Sequence, residues 1–106
     1  MTPRLLLEPE AEAEFLEAAR WYEDRRPGLG IEFRASVETT LEVIEHAPER
    51  FPIALRDIRK ARVPRFPYVV YYVPLADVVS VIAIIHGRRN PRRWQTLRRD
   101  SLGATR

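Results

Sequence analysis

Residues 68–91 read YVVYYV, then Pro74-Leu75-Ala76-Asp77, then VVSVIAIIH, then GRRNP. Two β-branched and aromatic runs separated by a few turn residues predict a β-hairpin. The second run, residues 78–85, is apolar at every position except Ser80. A strand with no polar face is covered on both sides, so this run is expected to be the central strand of a sheet. It ends at His86-Gly87, and Arg88, Arg89, Arg92 and Arg93 follow at once. A buried strand thus delivers a cluster of guanidinium groups to one edge of the domain, where function is to be sought first.

Upstream, residues 2–8 form a short apolar stretch, an expected N-terminal strand. Pro9 suits the first position of a helix, and Glu8, Glu10 and Glu12 set negative charge at its positive end. Ala11, Phe15, Ala18 or Ala19, and Tyr22 recur at helical spacing, while Glu10, Glu14, Glu17, Arg20 and Asp24 make a solvated side. Pro27-Gly28 breaks this helix near Arg26. A second helix is expected from Gly28 or Leu29 to Ala47, with Phe33, Val37, Leu41 and Ile44 on its core face and Pro48 closing it. The two form a helical hairpin whose apolar side the later strands cover.

Residues 48–52 (PERFP) read as a linker. Residues 53–65 mix Arg56, Arg59, Lys60, Arg62 and Arg65 with Leu55, Ile58, Ala61 and Val63, so part of this stretch is expected to be a strand with a wet, basic face. Pro64 and Pro67 mark an edge or corner. The fold class is α+β, β-α-α-β-β-β, a helical hairpin packed on one face of a small, mostly antiparallel sheet, with a basic C-terminal segment. Residues 1–95 are read as one domain and 96–106 as a basic tail or short helix, in which Trp94 just before it, Leu97 and Leu102 are the large apolar residues.

The 106 residues suffice for one core without metals or disulfides. There is no cysteine, which excludes thiol redox chemistry and thiolate metal sites. No run approaches a membrane span or a signal-peptide apolar region, and the chain is read as cytoplasmic. Residues 1–50 hold 12 of the 15 acidic residues but 6 of the 18 basic ones, so the second half is strongly basic. A basic face suggests an acidic partner, nucleic acid or protein. Of the basic residues only Lys60 is lysine. Arginine suits bidentate phosphate or carboxylate contacts, although such a bias equally follows from genome composition.

The order of elements, with EFLEAARWYEDRRPGLGIEF, ERFPIALRDIRKARVPRFPYVVYYV and VIAIIHGRRNPRRW, resembles the RelE/ParE superfamily of toxins from bacterial type II toxin-antitoxin systems, nearest to its ParE-like, plasmid-stabilisation branch. The resemblance covers residues 3–95. It implies one fold with two activities: RelE-like members cleave messenger RNA on the ribosome, whereas ParE-like members bind and poison DNA gyrase. Both kinds are neutralised by a cognate antitoxin, here expected to be ParD-like or similar. A fold shared by two activities leaves the choice to the residues.

RNA cleavage through the 2′-hydroxyl needs a base, an acid and cations on the phosphorane. Arg89 stands two residues after Gly87, as an arginine does in RelE-like nucleases. Tyr68 stands where those nucleases carry another arginine, their lysines fall only loosely near Arg59 and Lys60, and their C-terminal tyrosine falls near Trp94 or Gln95. Trp94 can stack on a base but cannot transfer a proton. In the nuclease reading Arg62 and Arg89 stabilise the phosphorane and His86 moves protons; the plainer reading of His86 is a strand-end histidine bonded to backbone. His46 at the end of helix two suits the helix dipole. Neither histidine has partners at ligand spacing, so no metal is expected, and no motif calls for a cofactor.

The leading expectation is a ParE-like toxin that acts by binding gyrase, with Arg88, Arg89, Arg92 and Arg93 contacting target or antitoxin and Trp94 beside them. A charge run is otherwise a solvated face. Tyr71 is expected on one face of its strand and Tyr68 and Tyr72 on the other, and a tyrosine face away from the helices can form a groove for a partner helix; Tyr68 and Tyr72 are the candidates for it. Trp21 lies off the helix-one stripe near Arg25, either at an interface or over the core edge. The alternatives are a ribosome-dependent endoribonuclease, with ribosome and messenger RNA as partners, and a non-toxic nucleic-acid-binding or decayed toxin domain. A homodimer or a toxin-antitoxin hetero-oligomer is the expected assembly.

Overall fold

In the computed structural model residues 4–88 are described. The elements run β1 (Arg4–Leu7), α1 (Pro9–Arg25), α2 (Leu29–His46), β2 (Ile53–Leu55), β3 (Ile58–Arg62), β4 (Tyr68–Pro74) and β5 (Val78–His86). They build a five-stranded sheet in the order β1-β5-β4-β3-β2. β1 pairs with β5 in parallel and every other pair is antiparallel. The α+β class and the helical hairpin on a mostly antiparallel sheet are as expected. Two details differ. Residues 53–65 hold two strands rather than one, turning at Arg56-Asp57, where Arg56 takes a φ of 53°. β5 is interior, but the middle position belongs to β4.

α1 begins with Pro9 and carries Glu10 and Glu12 in its first turn. Its buried stripe is Ala11, Phe15, Ala18 and Ala19, and that of α2 includes Phe33, Val37 and Ile44. Each fully buried large side chain of this kind contributes about 1.5–3 kcal/mol. Gly28, with φ 90°, turns the chain between the helices. The start of α2 is then held by α1 itself, since the Glu23 carboxylate accepts the backbone N–H groups of Gly28 and Gly30, each at 2.9 Å. Those donors have no partner within α2, and a carboxylate also suits the positive end of the helix. The helices approach so closely here that a Cβ on Gly30 would lie 2.6 Å from the Ala19 carbonyl oxygen and 2.9 Å from the Glu23 Cβ.

The sheet has two apolar faces. Val70 and Tyr72 of β4, Ala61 of β3 and Val79, Val81 and Ile84 of β5 pack with the helices in one cluster. Ile58, Val73, Ile82, Ala83 and Ile85 form a second cluster on the opposite face. That Val81 and Ile84 share a face follows from the register: Tyr71 lies opposite Ala83 and Tyr72 opposite Val81, leaving Ile82 as an extra residue in β5. Such a bulge shifts the alternation by one residue. A run apolar on both faces tolerates that shift. Ser80, the one polar residue of the run, donates a hydrogen bond to the Glu8 carboxylate at 2.7 Å.

Gly30→Ala is expected to destabilise the fold by about 1–3 kcal/mol, because a rigid backbone carbonyl occupies the space the methyl needs. Urea unfolding of the two proteins checks this, and an unchanged midpoint would show that the helices separate freely at this contact.

Candidate partner-binding surfaces

The end of β5 is built from aromatic contacts. Tyr68 of β4 faces His86 across the pair, ring centroids 5.5 Å apart, and packs on Phe33 at 5.1 Å and Tyr22 at 6.0 Å. Phe66, in the proline corner between β3 and β4, closes the same group against Tyr22 and Phe33. The His86 ring accepts the Arg88 backbone N–H at its Nδ1, 3.1 Å away. This is the strand-end histidine bonded to backbone that the plainer reading expects.

Beside it, between α1 and the end of β5, lies an open groove of about 640 Å³ whose walls include Glu14, Glu17, Trp21, Tyr22, Tyr68 and His86. One wall is the outer edge of β5. β1 pairs with β5 only as far as Val81, and farther along the Ile84 N–H is taken by the Glu14 carboxylate at 2.9 Å. Trp21 is half-exposed, its ring edge-on to Tyr22 and the Arg25 guanidinium 4.0 Å over its centroid. Among the described residues, those that line the groove with His86 bring carboxylates and aromatic rings to it.

The other surface is the face of the sheet away from the helices. Ala61 and Val63 point into the helix-side core, so Lys60 and Arg62, alternating with them and exposed, stand on the far face. They flank Tyr71, half-buried against the second apolar cluster. Arg62 and His86 therefore sit on opposite faces, two strands apart, and are not brought together. Arg59 points the other way and donates to the carbonyl oxygens of Phe51 and Glu49, at 2.7 and 3.3 Å, tying the linker down.

The expected alternation of tyrosines holds, but the Tyr68-Tyr72 side is the helix side. Tyr72 is fully buried, and its hydroxyl donates to the Pro48 carbonyl at 2.6 Å. Its ring belongs to the core and offers no surface to a partner, because α2 and the linker already cover that face; Tyr68 is half-buried in the aromatic group at the groove. The far face carries Tyr71 instead. Arg88 is exposed just past the end of β5. Arg89, Arg92, Arg93 and Trp94, with the 96–106 tail, lie outside the described residues. Among the described residues no group of histidines and carboxylates is placed to hold a metal ion, and no helix is long and apolar enough to cross a membrane.

A family model described as the ParE toxin of the type II toxin-antitoxin system parDE matches residues 5–91. The chain belongs to that family of toxins. Among solved structures it is similar to a chain of the chromosomal ParDE toxin-antitoxin system from P. aeruginosa, with a TM-score of 0.72 and 11% identity over 80% of this chain and 96% of that one. At that identity the likeness is one of fold. No curated protein sequence matches the chain.

Burial raises the pKa of Tyr72 above the ordinary 10.0, against the smaller opposing effects of Arg59 and a backbone hydrogen bond from Phe51. The fold thus prefers the neutral phenol, so the stability Tyr72 contributes is intact below about pH 10 and is lost as pH rises through its raised folded value. Tyr72→Phe is expected to cost about 1 kcal/mol at pH 7, through the lost bond to Pro48, and to make the alkaline decline shallower. Denaturant midpoints at pH 7 and across the alkaline range check both, and an undiminished decline in the variant would remove Tyr72 as a cause.

Proposed function

We propose that this chain is the toxin of a type II toxin-antitoxin pair, that a cognate, ParD-like antitoxin holds it inactive in a hetero-oligomer, and that it arrests growth by binding and poisoning DNA gyrase. Membership of the ParE family supports the module. The observation that carries binding over RNA cleavage is the separation of Arg62 from His86. Phosphoryl chemistry requires the proton carrier and the cation to converge on one phosphate. Here the imidazole lies in a groove walled by Glu14 and Glu17, with Nδ1 occupied by the Arg88 N–H, while Arg62 stands on the other face of the sheet. A carboxylate-lined groove repels a phosphate backbone.

On this reading the basic edge beginning at Arg88 engages an acidic surface of the target. Guanidinium groups suit that role because each can meet a carboxylate through two parallel hydrogen bonds. Four arginines within six residues, 88–93, give a dense site whose association with an acidic partner is fast and sensitive to salt.

Induced expression of the chain alone in bacteria, with plasmid topology and messenger RNA 5′ ends read from one culture, tests the proposal. Growth arrest with gyrase-linked DNA breaks and intact messages is expected. New cleavage sites inside translated messages, lost in His86→Ala, would establish the ribonuclease reading instead, and normal growth with salt-sensitive, sequence-indifferent DNA binding would mark a non-toxic domain. Replacing Arg88, Arg89, Arg92 and Arg93 together by alanine is expected to abolish toxicity in a folded protein; undiminished arrest would move the site elsewhere.

A further inference from the structure

Among the described residues two other than glycine take a positive φ, and both are arginines: Arg56 at 53° and Arg65 at 69°. Arg65 is the third residue of the turn Val63-Pro64-Arg65-Phe66, in which the Phe66 N–H donates to the Val63 carbonyl at 3.4 Å. Proline in second place and a left-handed residue in third define a type II turn, whose third place ordinarily goes to glycine or asparagine. The surroundings leave Arg65 no other backbone conformation. Pro64 has a fixed φ, Val63 is buried, and Phe66 packs on Tyr22 and Phe33.

A left-handed arginine destabilises the turn in a way that glycine would not. Other arginines have a use inside the domain: Arg25 lies over Trp21, Arg26 pairs with Glu32, and Arg59 holds the linker carbonyls. The Arg65 side chain is exposed and has no hydrogen bond, ion pair or ring contact among the described residues. Backbone strain that supports nothing within the fold points outward, to a partner.

The Gly87 N–H donates to the Pro67 carbonyl at 2.8 Å, which joins this corner to the end of β5. Arg65 and Arg88 are thus separated by three peptide links and one hydrogen bond, so their Cα atoms lie within about 17 Å. Both are exposed. Arg56 lies elsewhere. Arg62, at the corner end of β3, is opposite Val69 and through it Ile85, whereas Arg59, nearer Arg56, is opposite Tyr72 and through it Val81. Arg56 therefore stands at the other end of the sheet, and beside Asp57 its turn carries no net charge.

We propose that Arg65 contacts an acidic protein partner, acting with Arg88 as a two-point carboxylate site at this end of the sheet. The proposal rests on the reading of the basic edge as the gyrase-binding site and extends that site back to the proline corner. Each guanidinium can meet one carboxylate through two parallel hydrogen bonds. A nucleic-acid backbone fits less well, because its charge is continuous and the groove bordered by Pro67 and His86 presents the exposed Glu17 beside the two arginines. A protein surface can set carboxylates opposite the arginines alone.

Binding of the full-length chain to purified DNA gyrase, with naked duplex DNA as a second probe, tests this. Arg65→Gly and Arg65→Asn suit the turn, so a urea midpoint no lower than that of the unsubstituted chain is expected, together with gyrase binding weaker by about tenfold or more. Arg56→Gly relieves the same constraint at the opposite end and is expected to bind gyrase undiminished. Arg65→Lys, which keeps the charge but not the paired hydrogen bonds, is expected to fall between. Full gyrase binding by Arg65→Gly would overturn the proposal, as would an equal loss in Arg56→Gly, which would mark a general effect of charge. Loss of duplex DNA binding with gyrase binding intact would overturn it by assigning Arg65 to nucleic acid. Failure of the unsubstituted chain to bind gyrase would instead remove the reading beneath it, and the proposal with it.

Discussion

β5 imposes the constraint on which the rest of the molecule depends. It is buried on both faces, so each of its backbone groups must find a partner inside the protein. β4 supplies one edge along the strand's whole length, whereas β1 supplies the other only to Val81, because Pro9 turns the chain into a helix. Past that point an unmet N–H would cost about 1–3 kcal/mol. α1 answers it by laying Glu14 against the edge, where the carboxylate accepts the Ile84 N–H. A charge set at a strand edge also discourages further strand pairing there. The helix is thereby fixed at the distance from β5 that leaves the groove open.

The second helix is placed through the first. Glu23 holds the opening turn of α2, Gly30 lets the two backbones meet, and Tyr22 and Phe33 carry the hairpin onto Phe66 and Tyr68. The groove, the proline corner and the end of β5 are therefore one packed unit, in which the His86 ring is held by Tyr68 and by the Arg88 N–H. Trp21, only half-covered, stands at the rim of that unit rather than in the core.

Much of this was legible in the sequence where local signals agree with the fold. Pro9, Pro27-Gly28 and Pro48 mark helix boundaries, the apolar spacing names the core of both helices, and the run at 78–85, apolar but for Ser80, declares a doubly covered strand. The features that were not legible depend on contacts distant in the chain. Arg56-Asp57 carries no glycine or asparagine to announce a two-residue turn, so β2 and β3 merged into one expected strand. Glu14 and Glu23 look like solvated helix carboxylates until Ile84 and Gly30 come beside them. The assignment of Tyr72 failed for a related reason. Alternation separates Tyr71 from Tyr72 but cannot tell which face meets the helices, and only the Pro48 carbonyl and the helix-side cluster decide it.

The charge asymmetry of the chain becomes a spatial one when it folds. Acidic residues of the first half line α1 and the groove, as Glu14 and Glu17 do, whereas Lys60 and Arg62 of the second half stand on the far face and Arg88 just past the end of β5. A surface complementary to one of these regions meets unfavourable charge at the other, which fixes the orientation in which any partner docks. Among the described residues, Glu14 and Glu17 thus stand on the helix side of the sheet and Lys60 and Arg62 on the other, so an acidic and a basic surface each meet a different face of this small domain favourably.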